Sequence, residues 1–198
     1  MREMVTSKAY QLSSRYEGTW NPANERLFAR KLVRRLWSEE AHDSIVQSSG
    51  MPVSYTNTAW NPSTITWAMQ LPEPLANASG ATNFLNAFLR GNRDDQPRSG
   101  DTAIGQALAL MNDPFVMNRV NVNTTNNPNS LLARALKLSN SDAVNLMFLN
   151  VLSRYPTADE MSAALANLQS AGTNAAKLQE MKNLLWSLYN KVDFIFNY

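Results

Sequence analysis

The chain has 198 residues of which 44% are hydrophobic, enough to bury one sizeable core, while charged residues make up only 17%. A net charge of +2 is small for a nucleic-acid binder, which leaves binding through the basic run Arg26 to Arg35 the least favoured function, and no apolar run of about 18 residues exists to cross a membrane. The absence of cysteine excludes disulfides, thiolate metal sites and the Cys-x-x-Cys-His haem attachment, and Asn, Ser and Thr supply the polarity that charge does not.

In chain order, residues 2–12 read as a short helix followed by a polar link through Gly18. Asn21-Pro22 is a helix start with Pro at the first helical position, and the spacing of Leu27, Phe28, Leu32 and Leu36 predicts a helix over 22–36. Arg26, Arg30 and Arg34 would lie at i, i+4 and i+8 on that helix and repel by a few tenths of a kcal/mol per pair. Arg30, Arg34 and Arg35 are therefore expected to be partly buried and paired, Arg35 with Glu39. Ser38-Glu39-Glu40 opens the next helix, which Gly50 stops. Residues 50–80, rich in Pro, Trp, Asn and Thr, predict an irregular insertion with strand confined to 52–70.

Residues 81–116 form the most distinctive stretch. Phe84, Leu85, Phe88 and Leu89 mark one apolar helix face. A turn from Arg90 to Asp101 then holds three arginines and three aspartates. The following helix, capped by Asp101 or Thr102, would present Ile104, Leu108 and Met111 to the core. Asp113-Pro114 starts another helix, and Asn112 is expected to satisfy free backbone groups at that junction. Further helices follow from Ser130, from Asn140 or Ser141 (Val144, Met147, Phe148, Val151 and Leu152 at i, i+3, i+4, i+7, i+8), from the Thr157–Glu160 capping box, and from Thr173. The fold expected is all-α: about eight helices in one orthogonally packed domain over 1–198, with the insertion near 50–80.

FLNAFLRGNRD followed by TAIGQALALMNDPFV resembles the signature of the family defined as domain of unknown function 1553. SKAYQLSSRY, NPANERLFARKLVRRLWSEEAHDSI, LNVLSRYPTADE and LLWSLYNKVDFIFN match in the same order. The resemblance implies the carboxy-terminal part of a large planctomycete or acidobacterial protein, often with a cytochrome-c-like segment elsewhere. It implies a periplasmic or cell-surface setting and a fragment of a longer chain, but no activity. The family often carries cysteines in the turn after the Phe-Leu helix, and here there are none.

The candidate chemistry is sparse. His42 is the sole histidine, so a zinc site or triad has no second imidazole, and a helix-surface or interface role is expected. Asp94 and Asp95, with Glu73 or Asp101, have the residue types of a glycosidase pair but equally those of an ion-paired loop. Arg90, Arg93 and Arg98 would either bind an anionic glycan or pair with those aspartates. Gln106 and Asn112 are polar groups on an apolar helix, and Trp60 and Trp67 suit stacking on sugar rings as well as anchoring a loop. The candidate ligand-binding set is thus Arg90, Arg93, Asp94, Asp95, Arg98, Gln106, Asn112, Trp60 and Trp67, with no catalytic residue, metal or cofactor assigned. The expected partners are other domains of the parent protein or envelope proteins, with glycan binding or hydrolysis through 60–101 as the alternative function.

Overall fold

The structure is a computed structural model that describes residues 1–57, 63–71, 81–90 and 104–197. It is mainly helical, as the periodicity requires. Helix α1 spans Arg2–Val5, α2 Ser38–Ser49, α3 Thr82–Ala87, α4 Ile104–Asn112 and α5 Pro114–Val120. They are followed by α6 (Leu131–Ala135), α7 (Asn140–Leu152), α8 (Ala158–Ser170), α9 (Asn174–Tyr189) and α10 (Val192–Ile195). Two antiparallel ribbons complete the described residues. Strand β1 (Arg34–Arg35) pairs with β4 (Phe196–Asn197), and β2 (Tyr55–Asn57) pairs with β3 (Ser63–Ile65).

The core forms around α7 and α2. Ala143, Val144, Met147, Phe148 and Val151 of α7 are buried, and the helix packs against α2, α6, α8, α9 and α10. Its start is set by Ser139, one residue before the expected caps, whose hydroxyl accepts the Asp142 N–H. The Thr157–Glu160 capping box starts α8 as the sequence requires, and Thr173 caps α9 by accepting the Ala176 N–H. At the end of α2, Gly50 adopts φ +67°, and a Cβ there would lie 2.7 Å from the Asn129 carbonyl oxygen. Only glycine meets both conditions without strain.

Several expectations are corrected. The segment over 22–36 is not an α-helix. Asn21 accepts the Ala23 N–H and starts a 3-10 turn at Pro22–Leu27, which Phe28 ends in the left-handed region at φ 49°. Leu27, Phe28, Leu32 and Val33 stay exposed, so the apolar stripe has no surface to bury against, and a helix so placed would gain nothing from its amphipathicity. The chain continues extended instead, and Arg34 and Arg35 join Asn197 and Phe196, placing strand outside the 52–70 window. Likewise the helix expected over 2–12 is limited to Arg2–Val5.

Helix α4 is turned relative to expectation. Ala109 and Leu110 face the core with Gln106, whereas Ile104 is 82% exposed and Leu108 and Met111 also face outward. At the next junction Asp113, not Asn112, does the capping: its carboxylate accepts the Phe115 N–H at 2.8 Å. Leu89, expected on the buried face of α3, sits past the helix end at φ 58° and is partly exposed.

The carboxy terminus is fastened by charge. Arg154 contacts Glu160 at 2.7 Å and Asp193 at 2.6 Å, and Lys191 reaches Glu160 at 2.8 Å. The Arg154 guanidinium, helped by Lys191 and the Thr157 N–H, holds the Glu160 carboxyl well below the usual carboxylate range. This clamp holds α10 and β4 beside α7 and so brings Asn197 to β1.

Candidate functional site

Helix α2 carries two polar surfaces with different roles. The inward one begins with Glu39 and His42. Glu39 is buried, accepts the Ser38 hydroxyl at 2.9 Å, and lies 3.7 Å from Nε of Arg90. Arg35 is only 3% exposed and donates to the Leu36 carbonyl at 2.8 Å, with the Phe88 carbonyl at 3.5 Å. Arg34 instead forks onto Glu40 at 3.0 and 3.2 Å, and the Arg30 guanidinium sits 3.9 Å over the Trp20 ring.

His42 is completely buried, correcting the expected helix-surface or interface position. Its Nδ1 lies 2.7 Å from Oδ1 of Asp43 and its Nε2 lies 2.7 Å from the Tyr55 hydroxyl. A carboxylate only accepts, so Nδ1 carries the hydrogen and Nε2 accepts from Tyr55. Burial lowers the His42 pKa, outweighing the Asp43 carboxylate, with nearby Arg119 and Arg90 adding to the depression. The neutral ring stacks on Phe115 at 4.4 Å, and the Arg119 guanidinium covers the other partner of that stack, 3.9 Å from the Phe115 ring.

Arg119 is itself buried. It donates to the Phe115 carbonyl at 2.7 Å, while its Nε has no hydrogen-bond partner among the described residues. Burial pushes the Tyr55 and Tyr189 phenols up to about 12, and Tyr189 shares a 3.0 Å hydrogen bond with Ser48. Carboxylate, imidazole and phenol are in line, but His42 and Tyr55 are closed off from solvent, and the Asp43 carboxylate alone of the three, 12% exposed, reaches the outward surface. The arrangement holds the core in register.

The outward surface is different. Glu40, Asp43, Ser44 and Gln47 recur at i, i+3, i+4 and i+7 and form the floor of an open groove of about 540 Å³. Trp67, Met69 and Gln70 form one wall, and Arg34, Leu36 and Asn197 the other. Asp43 builds the first wall, because its carboxylate accepts the N–H groups of Ala68 at 2.7 Å and Met69 at 3.2 Å. The 3-10 turn Ala68–Gln70 is thereby tied to α2 and presents the Trp67 indole, 37% exposed. A second depression of about 580 Å³ shares Leu36, Ser44 and Asn197 with the first and extends to Ser153, Arg154 and Asp193.

The candidate ligand-binding residues are thus divided. Trp67 lines the groove, Arg90 is drawn inward to Glu39, Gln106 is buried and Asn112 is exposed at the end of α4. Trp60, Arg93, Asp94, Asp95 and Arg98 lie outside the described residues, as do Glu73 and Asp101. The sequence reading missed Tyr55, Phe115 and Arg119, and it set Asp43 beside His42 only as one of an acidic group with Glu39 and Glu40, not as the acceptor that orients the imidazole. The i, i+4 spacing of Phe115 and Arg119 and the His42-Asp43 doublet were their visible signals. Among the described residues no cluster of His, Asp and Glu is arranged to hold a metal ion, and no helix is long and apolar enough to cross a membrane.

Neither a curated protein nor a solved structure matches the chain. The sequence model described as "PSD1: Protein of unknown function (DUF1553)" matches residues 1–168, most of the length, and with it the central signature and both of the α2 surfaces. The chain belongs to the DUF1553 family.

Proposed function

We propose that the chain is a structural and interaction module of a larger exported protein, one that also carries a cytochrome-c-like segment. In this reading the module holds no cofactor and performs no catalysis. The observation that carries it is the stretch 1–34, in which no residue is buried although Tyr10, Leu27, Phe28, Leu32 and Val33 are large and apolar. Full burial of one such side chain is worth about 1.5–3 kcal/mol, so several covered together would supply a stable docking surface. The β1–β4 ribbon and the Lys31–Asn197 hydrogen bond anchor the end of this strap to the helical body. Its apolar side chains are left to meet another domain of the same protein or an envelope partner.

The test compares amide hydrogen exchange over residues 20–33 in the isolated chain and in the full-length protein. Slower exchange there in the full-length protein, abolished by Leu27→Ser with Phe28→Ser, is expected. Equal exchange in both would refute docking of this strap onto another domain of the same protein.

A further inference from the structure

The outward surface of α2 carries unused recognition chemistry. Gln47, Gln70, Ser44 and Trp67 line one groove, and their side-chain polar groups make no hydrogen bond among the described residues. The charged groups beside them are already occupied. Glu40 is forked by Arg34, Asp43 accepts from His42, Ala68 and Met69, and at the far end Arg154 is held by Glu160 and Asp193.

Among the described residues the groove has no uncommitted charge, and so it selects neither an anion nor a cation. What remains available is a flat aromatic face, two amides that donate and accept, and a hydroxyl. A pyranose ring matches this set: its axial C–H bonds form an apolar face for the indole, and its hydroxyls donate and accept at the rim. The volume falls in the usual range for ligand sites, about 300–1,000 Å³. The groove is open, and the second depression lies beside it with Leu36, Ser44 and Asn197 lining both, which suits a chain of sugars more than an enclosed small molecule.

From this geometry we infer that the groove between α2, the Trp67–Gln70 turn and Asn197 binds a neutral oligosaccharide. Trp67 is the stacking platform, and Gln47, Ser44 and Gln70 read the hydroxyls. This site lies apart from the apolar strap, and it binds rather than cleaves, because both of its acids are committed to holding the fold.

The purified chain is titrated with cellohexaose, xylohexaose, mannohexaose and maltohexaose by calorimetry and tryptophan fluorescence, with dextran sulfate and an unstructured peptide as controls. Saturable binding of at least one neutral hexasaccharide is expected. Trp67→Ala should weaken it at least tenfold, Trp67→Phe less, and Gln47→Ala with Gln70→Ala several-fold. Circular dichroism checks folding, and if Trp67→Ala does not fold, the glutamine pair decides. Leu27→Ser with Phe28→Ser should leave sugar binding intact, which separates this inference from the docking role. Binding of no neutral hexasaccharide, binding of dextran sulfate or the peptide alone, or binding unchanged in the groove variants would overturn it.

Discussion

Replacing Asp43 tests whether one carboxylate ties the buried column to the groove. In Asp43→Ala three donors lose their acceptor: Nδ1 of His42 and the backbone N–H groups of Ala68 and Met69. His42 and Ala68 are buried, whereas Met69 is exposed and can turn to water. A buried donor left without a partner costs about 1–3 kcal/mol, so the two buried ones together predict a loss of about 2–4 kcal/mol, with water entering from the groove keeping it below the maximum. Urea denaturation followed by far-UV circular dichroism measures this. With a slope of about 2 kcal/mol per molar, the midpoint should fall by about 1–2 M at unchanged slope. Asp43→Asn keeps one acceptor oxygen and should lose roughly half as much. A midpoint shift below about 0.3 M for Asp43→Ala would mean that the column is not held by this carboxylate, and the reasoning would fail.

Three further outcomes follow from the same structure. His42 has a folded pKa depressed by burial among Asp43, Tyr55, Arg119 and Arg90, so its contribution is present above the unfolded value of about 6.5 and is lost as pH falls below it, at a limiting slope of about 1.4 kcal/mol per pH unit. Stability curves of the wild type and His42→Gln between pH 7 and pH 5 should therefore converge toward acid; parallel curves would exclude His42 as the titrating group. Gly50→Ala combines a left-handed backbone with a 2.7 Å approach to Asn129, so a loss of about 1–3 kcal/mol is expected in thermal melts, and an unchanged Tm would contradict the close approach. Leu110→Ala should cost about 2–5 kcal/mol while Leu108→Glu changes stability by no more than about 0.5 kcal/mol, and the opposite order would restore the outward-facing residues of α4 to the core.

Much of the helical framework was legible because helix ends are local chemistry. Thr157 with Glu160, Asp113 before Pro114, Ser130, Thr173 and Gly50 each act on backbone groups within a few residues, and each stands where the sequence places it. The apolar face of α7 was equally readable, since Val144, Met147, Phe148 and Val151 share one side of the helix and are buried, while Leu149 lies off that side and is exposed. The direction of α4 was not. Its mixture of Ala, Leu and Ile permits more than one apolar face, and packing selected Ala109 and Leu110 along with Gln106.

Residues 22–36 show the same limit more strongly. Their spacing fits a helix, but a helix there is stabilised only by a surface to cover, and the chain instead closes a ribbon with residues at the opposite end of the sequence. The groove had the same origin. The i, i+3, i+4, i+7 row of Glu40, Asp43, Ser44 and Gln47 was present in the sequence, yet its facing walls come from the Trp67–Gln70 turn and from Asn197. Local capping and periodicity determined that α2 and α5 to α9 are helical. Long-range packing alone decided that His42 is buried, that Arg35 is sequestered while Arg34 pairs outward, and that Trp67 shares a groove with Ser44 and Gln47, because each depends on partners that sequence spacing does not encode.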